Sequence, residues 1–318
     1  MKKLLELLFL KNIKGFGNVT INKKYVPLLE PVSTLEECIR LVEDNEEKVS
    51  SVDISKAREI AEKKYKEIID DLTLSVITIF DGKYPEKLKN LQDKKPIILY
   101  AKGDIAALSR PNIAIVGTRK PSEWSVKVEG RLVQKILDLS GRVIVSGLAL
   151  GCDKIAHETT VLAGKKTVAV LPSGVNVITP TSHKKLANSI IETGGCLLSE
   201  YEPNAKAAKS TYVERDAVIA ALSDATMVIE CDVKSGTMHT VDAAEQMKRK
   251  LACYYIDDVS KGKYGGNELM LKDKGAIKIT DTEELALFLE QLSSIPENIK
   301  EPEPKQICIE DLLGADAE

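Results

Sequence analysis

Five short apolar runs in this chain stop abruptly at glycines, hydroxyls and charges, and those stops hold its capacity for chemistry. The first reads Ile113-Ala114-Ile115-Val116 and then Gly117-Thr118-Arg119-Lys120-Pro121-Ser122. The second reads Val143-Ile144-Val145 and then Ser146-Gly147-Leu148-Ala149-Leu150-Gly151-Cys152-Asp153. Three more end in Pro172-Ser173-Gly174, in Ser199-Glu200-Tyr201, and in Glu230-Cys231-Asp232-Val233-Lys234 leading to Ser235-Gly236-Thr237. Glycine lets a ligand approach backbone closely, and a helix starting there offers an anion N–H groups that have no intrahelical partner. Either glycine turn alone requires no more than tight geometry. Together, with Arg119 beside one and Ser146 and Asp153 beside the other, they make a phosphate-binding crevice the leading expectation.

Other residues add to that chemistry. Arg119, Lys184, Lys209 and Arg215 supply positive charge near these run ends, and Gly117, Gly147 and Gly236 supply backbone donors. Tyr212 offers a ring for a base to stack on, worth roughly 1–3 kcal/mol. Several familiar chemistries do not fit. Neither turn has the G-x-G-x-x-G spacing of a dinucleotide site or the G-K-[ST] of a P-loop, which disfavours a standard nicotinamide site and a standard ATPase. Ser146, Ser173 and Ser235 lack the G-x-S-x-G elbow of a hydrolase. His183 and His239 have no second ligand at metal spacing, so neither a metal nor a cofactor is expected. His157 follows Asp153 by four residues, so the two can meet on one helix face and fix the turn. Cys152 reads as a small buried filler.

The elements that must position these residues follow from periodicity. Apolar runs near 113–117, 142–146, 166–171, 196–199, 226–230, 251–256 and 276–279 alternate with helical segments, the first at about 123–139. This repetition predicts an α/β fold, a Rossmann-like doubly wound, mainly parallel sheet with right-handed crossovers, occupying residues 73–292. Its ligands belong beyond the carboxyl ends of the strands. A run at 74–80, a connecting loop and a run at 96–100 come first.

Residues 1–72 read as a small, separate helical module, with an amphipathic first helix and further helices near 34–45 and 55–72, the last capped by Ser55. Its Gly15-Phe16-Gly17 has the look of a helix-hairpin-helix phosphate turn, but a single such run favours a plain turn between packed helices. Residues 293–318 form an acidic, proline-containing tail whose Ile309-Glu310-Asp311-Leu312-Leu313 could be a short partner-binding helix or a frayed end.

The totals set outer bounds. The chain has 318 residues, 43% hydrophobic and 29% charged, with a formal net charge of −3. No global basic field advertises nucleic acid, so such a site must be a local patch. The six cysteines form no C-x-x-C pair, which suits reduced thiols in a cytoplasmic protein. No run approaches the roughly twenty apolar residues of a membrane span.

In order along the chain, Ile115 to Ser122, Val145 to His157, Leu197 to Tyr201 and Ser235-Gly236-Thr237 resemble the motifs of the DNA-processing protein A (DprA, also called Smf) family, a likeness running from about residue 75 to 285. The resemblance implies a non-enzymatic Rossmann-like protein that binds and protects single-stranded DNA and loads a RecA-type recombinase during natural transformation, as a homodimer. It implies a phosphate site at Gly117, Thr118, Arg119, Ser146, Gly147, Lys184, Lys209, Tyr212, Arg215, Ser235, Gly236 and Thr237. Where the family reads Arg-Asn-Arg, this chain reads Arg215-Asp216-Ala217, so a carboxylate replaces a polar donor and a cation is lost. That keeps a second reading open: a sensor of a nucleotide ligand in the same superfamily, in phage defence. The related phosphoribohydrolases carry P-G-G-x-G-T-x-x-E, whose glutamate position here holds Thr240.

Overall fold

A computed structural model describes residues 1–292. The expected tail at 293–318, Cys308 included, lies outside them. The chain divides into two compact units, the first Met1–Ala101 and the second beginning at Lys102.

In the first unit, helix α1 (Leu4–Asn12) carries Leu4, Leu7, Leu8, Phe9 and Leu10 with essentially no exposure. It is apolar on every side rather than amphipathic, because α3 (Leu35–Asn45) and α4 (Ser51–Asp70) pack against it. Between α1 and α3 the chain makes the short α2 (Asn18–Thr20), a π-helical turn Ile21–Tyr25, and the 3-10 turn Val26–Leu28. Gly15 takes φ +89, and Phe16 stacks on the buried Tyr25 with centroids 5.2 Å apart.

Helix α4 begins one turn before the expected Ser55. Ser50 is its cap: its hydroxyl accepts from Asp53 N–H at 3.1 Å and donates to the Asp53 carboxylate at 2.7 Å. That reciprocal pair satisfies an otherwise orphan donor and outcompetes a serine one turn later. The antiparallel strands β1 (Ser75–Thr78) and β2 (Ile98–Gly103) pair with Ser75 opposite Ala101.

The second unit alternates β3 (Asn112–Val116), α5 (Glu123–Ser140), β4 (Val143–Ser146), α6 (Cys152–Leu162), β5 (Thr167–Val170), α7 (Lys184–Glu192), β6 (Cys196–Ser199), α8 (Lys209–Leu222), β7 (Ala225–Val228), α9 (Thr237–Gln246), β8 (Lys250–Tyr254), α10 (Gly265–Asp273), β9 (Ile277–Ile279) and α11 (Thr282–Glu290). The strands stand in the order β6-β5-β4-β3-β7-β8-β9, and the pairings from β5–β6 through β8–β9 are all parallel. This is the expected doubly wound Rossmann-like sheet.

Period-two side-chain alternation sends Ile113 and Ile115 of β3 into a core shared with Val133 and Ile136 of α5, Ala156 of α6 and Phe288 of α11. Lys184 opens α7, a helix whose Leu186, Ala187 and Ile190 bury one face.

Chain direction reverses at β3. The strands β4, β5 and β6 lie successively to one side of it, and β7, β8 and β9 to the other. Connections leaving β3 and β7 therefore diverge and open a crevice at their carboxyl ends. Val116 is opposite Val228 in register, so Gly117 and Glu230 follow at that crevice.

Candidate functional site

The crevice is a cleft of about 960 Å³, bordered by the turn 116–120, Ala149 and Asp153, by Arg215 and Asp216 of α8, by Glu230, by residues 234–237 and by the loop 260–263. Three helices start at or beside it, α5 after Ser122, α6 after Gly151 and α9 after Gly236, and helix N-termini favour anions.

The first turn is fixed by backbone and sulfur. Thr118 N–H donates to Glu230 O at 2.8 Å and Thr118 O accepts from Cys152 N–H at 3.1 Å. A Cβ on Gly117 would lie 2.5 Å from Cys152 Sγ, so glycine is needed for close approach. Burial, then the neighbouring Glu129, push the Cys152 thiol up from its ordinary pKa, which makes it the neutral filler expected. Arg119, exposed, lies over the Tyr212 ring at 5.2 Å from its centroid. That contact is worth about 0.5–1 kcal/mol at an exposed site and presents guanidinium and ring together.

The second turn surrounds Arg215, which is only 4% exposed. Asp153 accepts from the N–H groups of Gly147 (3.1 Å) and Ala149 (3.2 Å). It also faces Arg215 Nη1 at 3.8 Å. Arg215 Nη1 donates to Val170 O at 3.3 Å, and Arg215 Nε lies 3.2 Å from Asp216 Oδ1. The substituted carboxylate of Asp216 is thus turned onto its neighbouring arginine. Burial raises its pKa to about 6, with Arg215, His239 and Arg119 pulling the other way and Asp153 adding to the rise.

Leu148 takes a left-handed φ of +56, a strained choice for a branched residue, and is held there by His183, whose Nδ1 donates to Leu148 O at 2.9 Å. Asp153 and His157 do not pair. Asp153 is engaged by the turn, and His157 Nδ1 meets Thr167 Oγ1 at 2.8 Å inside the core, where burial lowers its pKa to about 3.

Of the residues expected from sequence, Gly117, Thr118, Arg119, Arg215, Ser235, Gly236 and Thr237 line the cleft. Tyr212 reaches it through Arg119. Gly147 lies behind Arg215, and Ser146, fully buried, donates from Oγ to Ile115 O at 2.7 Å, tying β4 to β3. Lys184 and Lys209 are exposed first residues of α7 and α8, outside the cleft lining.

Sequence reasoning missed the far wall. Glu230 accepts from Ser122 N–H (2.9 Å), Ser122 Oγ (2.8 Å) and Lys263 N–H (2.9 Å), strapping the 260–263 loop to the start of α5. Lys120, Lys234, Lys261 and Lys263 join Arg119 as lining cations; of the lining carboxylates Asp153, Asp216 and Glu230 are committed to internal partners, and Asp232 is exposed and offsets one of those five charges. The available balance of the cleft is therefore positive, as a phosphate ligand requires. A lone lysine pair far downstream in a polar loop carries no signal that links it to Gly117.

The family model for DNA recombination-mediator protein A matches residues 75–290. The chain is 33% identical over 219 residues to Protein Smf of Escherichia coli, covering 68% of this chain and 58% of that protein. It is 32% identical over 233 residues to DNA processing protein DprA of Bacillus subtilis, covering 73% and 75%. Among solved structures it is similar to DprA of Streptococcus pneumoniae, with a TM-score of 0.75 and 26% identity over 89% of this chain and 96% of that one. DNA processing protein A of Helicobacter pylori, whose structure gave insight into its single-stranded DNA binding mode, matches with a TM-score of 0.61 and 31% identity, over 70% and 97%. Among the described residues no helix is long and apolar enough to cross a membrane. With the family model spanning most of its length, this chain belongs to the DNA recombination-mediator protein A family.

Proposed function

We propose that this chain is a non-catalytic single-stranded DNA-binding protein that protects the strand and passes it to a RecA-type recombinase, acting as a homodimer in the cytoplasm. The observation that carries this reading is Arg119 stacked on Tyr212 at the mouth of a cleft also lined by Lys120, Lys234, Lys261, Lys263 and the enclosed Arg215. Phosphates meet the guanidinium, the Gly117 turn and the helix starts, while a base uses the ring, a combination that tolerates any sequence. In this reading Gly117, Thr118, Ser235, Gly236 and Thr237 supply backbone and hydroxyl donors, and Lys184 and Lys209 guide the strand outside the cleft. Arg215, Ser146 and Gly147 position the turn. The similarity to the Helicobacter pylori protein supports the ligand, and the family's description supports the recombinase step.

The test is a fluorescence-anisotropy titration of labelled oligothymidine at two salt concentrations, with duplex DNA and free nucleotides as competitors. Salt-sensitive binding that neither competitor displaces is expected. Absence of binding, together with thermal stabilisation by a mononucleotide, would transfer the cleft to a nucleotide sensor.

A further inference from the structure

The loop strapped down by Glu230 has a second use. Lys261, which lines the cleft, also holds its ammonium 4.3 Å from the centroid of the Trp124 ring. Trp124 is the second residue of α5 and 38% exposed. Its Nε1–H donates to Tyr254 Oη at 3.0 Å, so the indole is fixed by its polar edge while a flexible cation attends its face. The loop itself has little freedom at this point: Lys263 N–H is bound by Glu230, and a Cβ on Gly262 would come within 2.7 Å of Tyr264 and 3.0 Å of Ser122 Oγ. Lys261 pairs also with Asp258 at 3.5 Å. A second cation–aromatic pair thus borders the same cleft as Arg119 and Tyr212.

We infer that single-stranded DNA held in the cleft continues across Trp124, with one base stacked on the indole and Lys261 moved from the ring to the adjoining phosphate. The inference rests on the proposed function. A cation–π contact at an exposed site is weaker than base–aromatic stacking, and Lys261 keeps a partner by meeting a phosphate, so the exchange favours the strand. Two ring-and-cation stations, not one, then read the strand, and both are indifferent to base identity. The start of α5 becomes part of the track, although no cleft-lining motif includes Trp124.

Trp124 is the single tryptophan of the chain, so emission excited at the red edge of the indole band, beyond tyrosine absorption, reports this ring alone. Titration of the full chain with unlabelled oligothymidine, followed by emission, is run beside the anisotropy titration of a labelled one. Emission is expected to be quenched with the same midpoint as anisotropy. Trp124→Ala is expected to weaken binding by about 5- to 150-fold with an unchanged salt slope. Trp124→Phe, which keeps a stacking ring, restores most of the affinity, and Lys261→Ala lowers the salt slope by about 0.7. Binding by anisotropy with unaltered emission, and parental affinity in Trp124→Ala, overturns the inference and leaves the proposed function standing. No binding by either readout overturns both. The emission experiment needs no variant, so a folding defect in Trp124→Ala does not protect the inference.

Discussion

The guanidinium of Arg215 occupies the space in which a Cβ at Gly147 would stand, so an arginine, not a turn conformation, demands glycine there. A Cβ at 147 would fall on that guanidinium and 2.8 Å from Asp153 Oδ2. The arginine in turn is the common counter-ion of Asp153 and Asp216. A cation this deeply enclosed organises the floor of the cleft.

Gly147→Ala should therefore destabilise the protein by roughly 2–4 kcal/mol, through overpacking against a charged group that cannot move away. Arg215→Ala should cost about 3–5 kcal/mol, because two carboxylates lose their buried partner. Urea denaturation reads both. Were Arg215 chiefly a phosphate contact, its alanine variant would keep the parental midpoint and lose only DNA affinity.

Arg119→Ala presents the opposite profile. The side chain is exposed, with the Tyr212 ring as its packing contact and only a minor electrostatic effect on Asp216, so stability should stay within about 0.5 kcal/mol of the parent. Affinity for single-stranded oligonucleotides should fall whatever their sequence, and the dependence of log K on log salt should flatten by about 0.7. Parental affinity and slope would remove Arg119 from the site.

Much of this arrangement was legible beforehand because it depends on local pattern. The β-branched runs and the helical segments between them fix the strands of the second unit to within a residue or two, and the glycine-ended runs mark the crevice at β3. The failures share a different cause. Ser50 rather than Ser55 caps α4 because Asp53 completes a reciprocal hydrogen-bond pair that only Ser50 can make. Arg215 was expected among the cations that meet a phosphate because sequence shows its charge but not the two carboxylates that enclose it. Glu230, Lys261 and Lys263 went unnoticed because their relation to Ser122 is a tertiary contact across more than a hundred residues.

Asp216 gives the cleft a pH response. Burial raises its pKa to about 6, above the ordinary aspartate value, so protonation as pH falls through 6 removes a negative charge from the cleft lining. Oligothymidine affinity should rise between pH 7.5 and 5.5, by about fivefold if one charge is worth about 1 kcal/mol there. Asp216→Asn should show the higher affinity already at pH 7.5. His239 also faces this carboxylate, and the difference between parent and variant separates the two groups. The stability term has the matching sign: a raised acid pKa contributes stability that is complete below about pH 4 and lost as pH rises through 6.

Glu230→Gln tests the strap. Burial alone would raise this carboxyl, but the hydrogen bonds it accepts, those from Lys263 N–H and from Ser122 N–H and Oγ among them, outweigh it and hold the pKa below the ordinary value. Its contribution is present above about pH 4.5 and lost as pH falls through the lowered pKa. The amide cannot accept all three donors, so a loss of about 1–3 kcal/mol is expected, with faster amide hydrogen exchange concentrated in 260–263. Unchanged exchange in that loop would mean that its position is fixed by Gly262 and Tyr264 instead.

Gly117 and Cys152 occupy what is in effect one volume. The sulfur fills the space in which any side chain at 117 would have to stand, so these positions, thirty-five residues apart, can change only as a pair during divergence. A chain that acquires a larger residue at 117 must shrink residue 152 in compensation, and one that enlarges 152 displaces the turn that carries Arg119. Covariation between these two columns, and not invariance of the glycine by itself, is the trace that this packing should leave among its relatives.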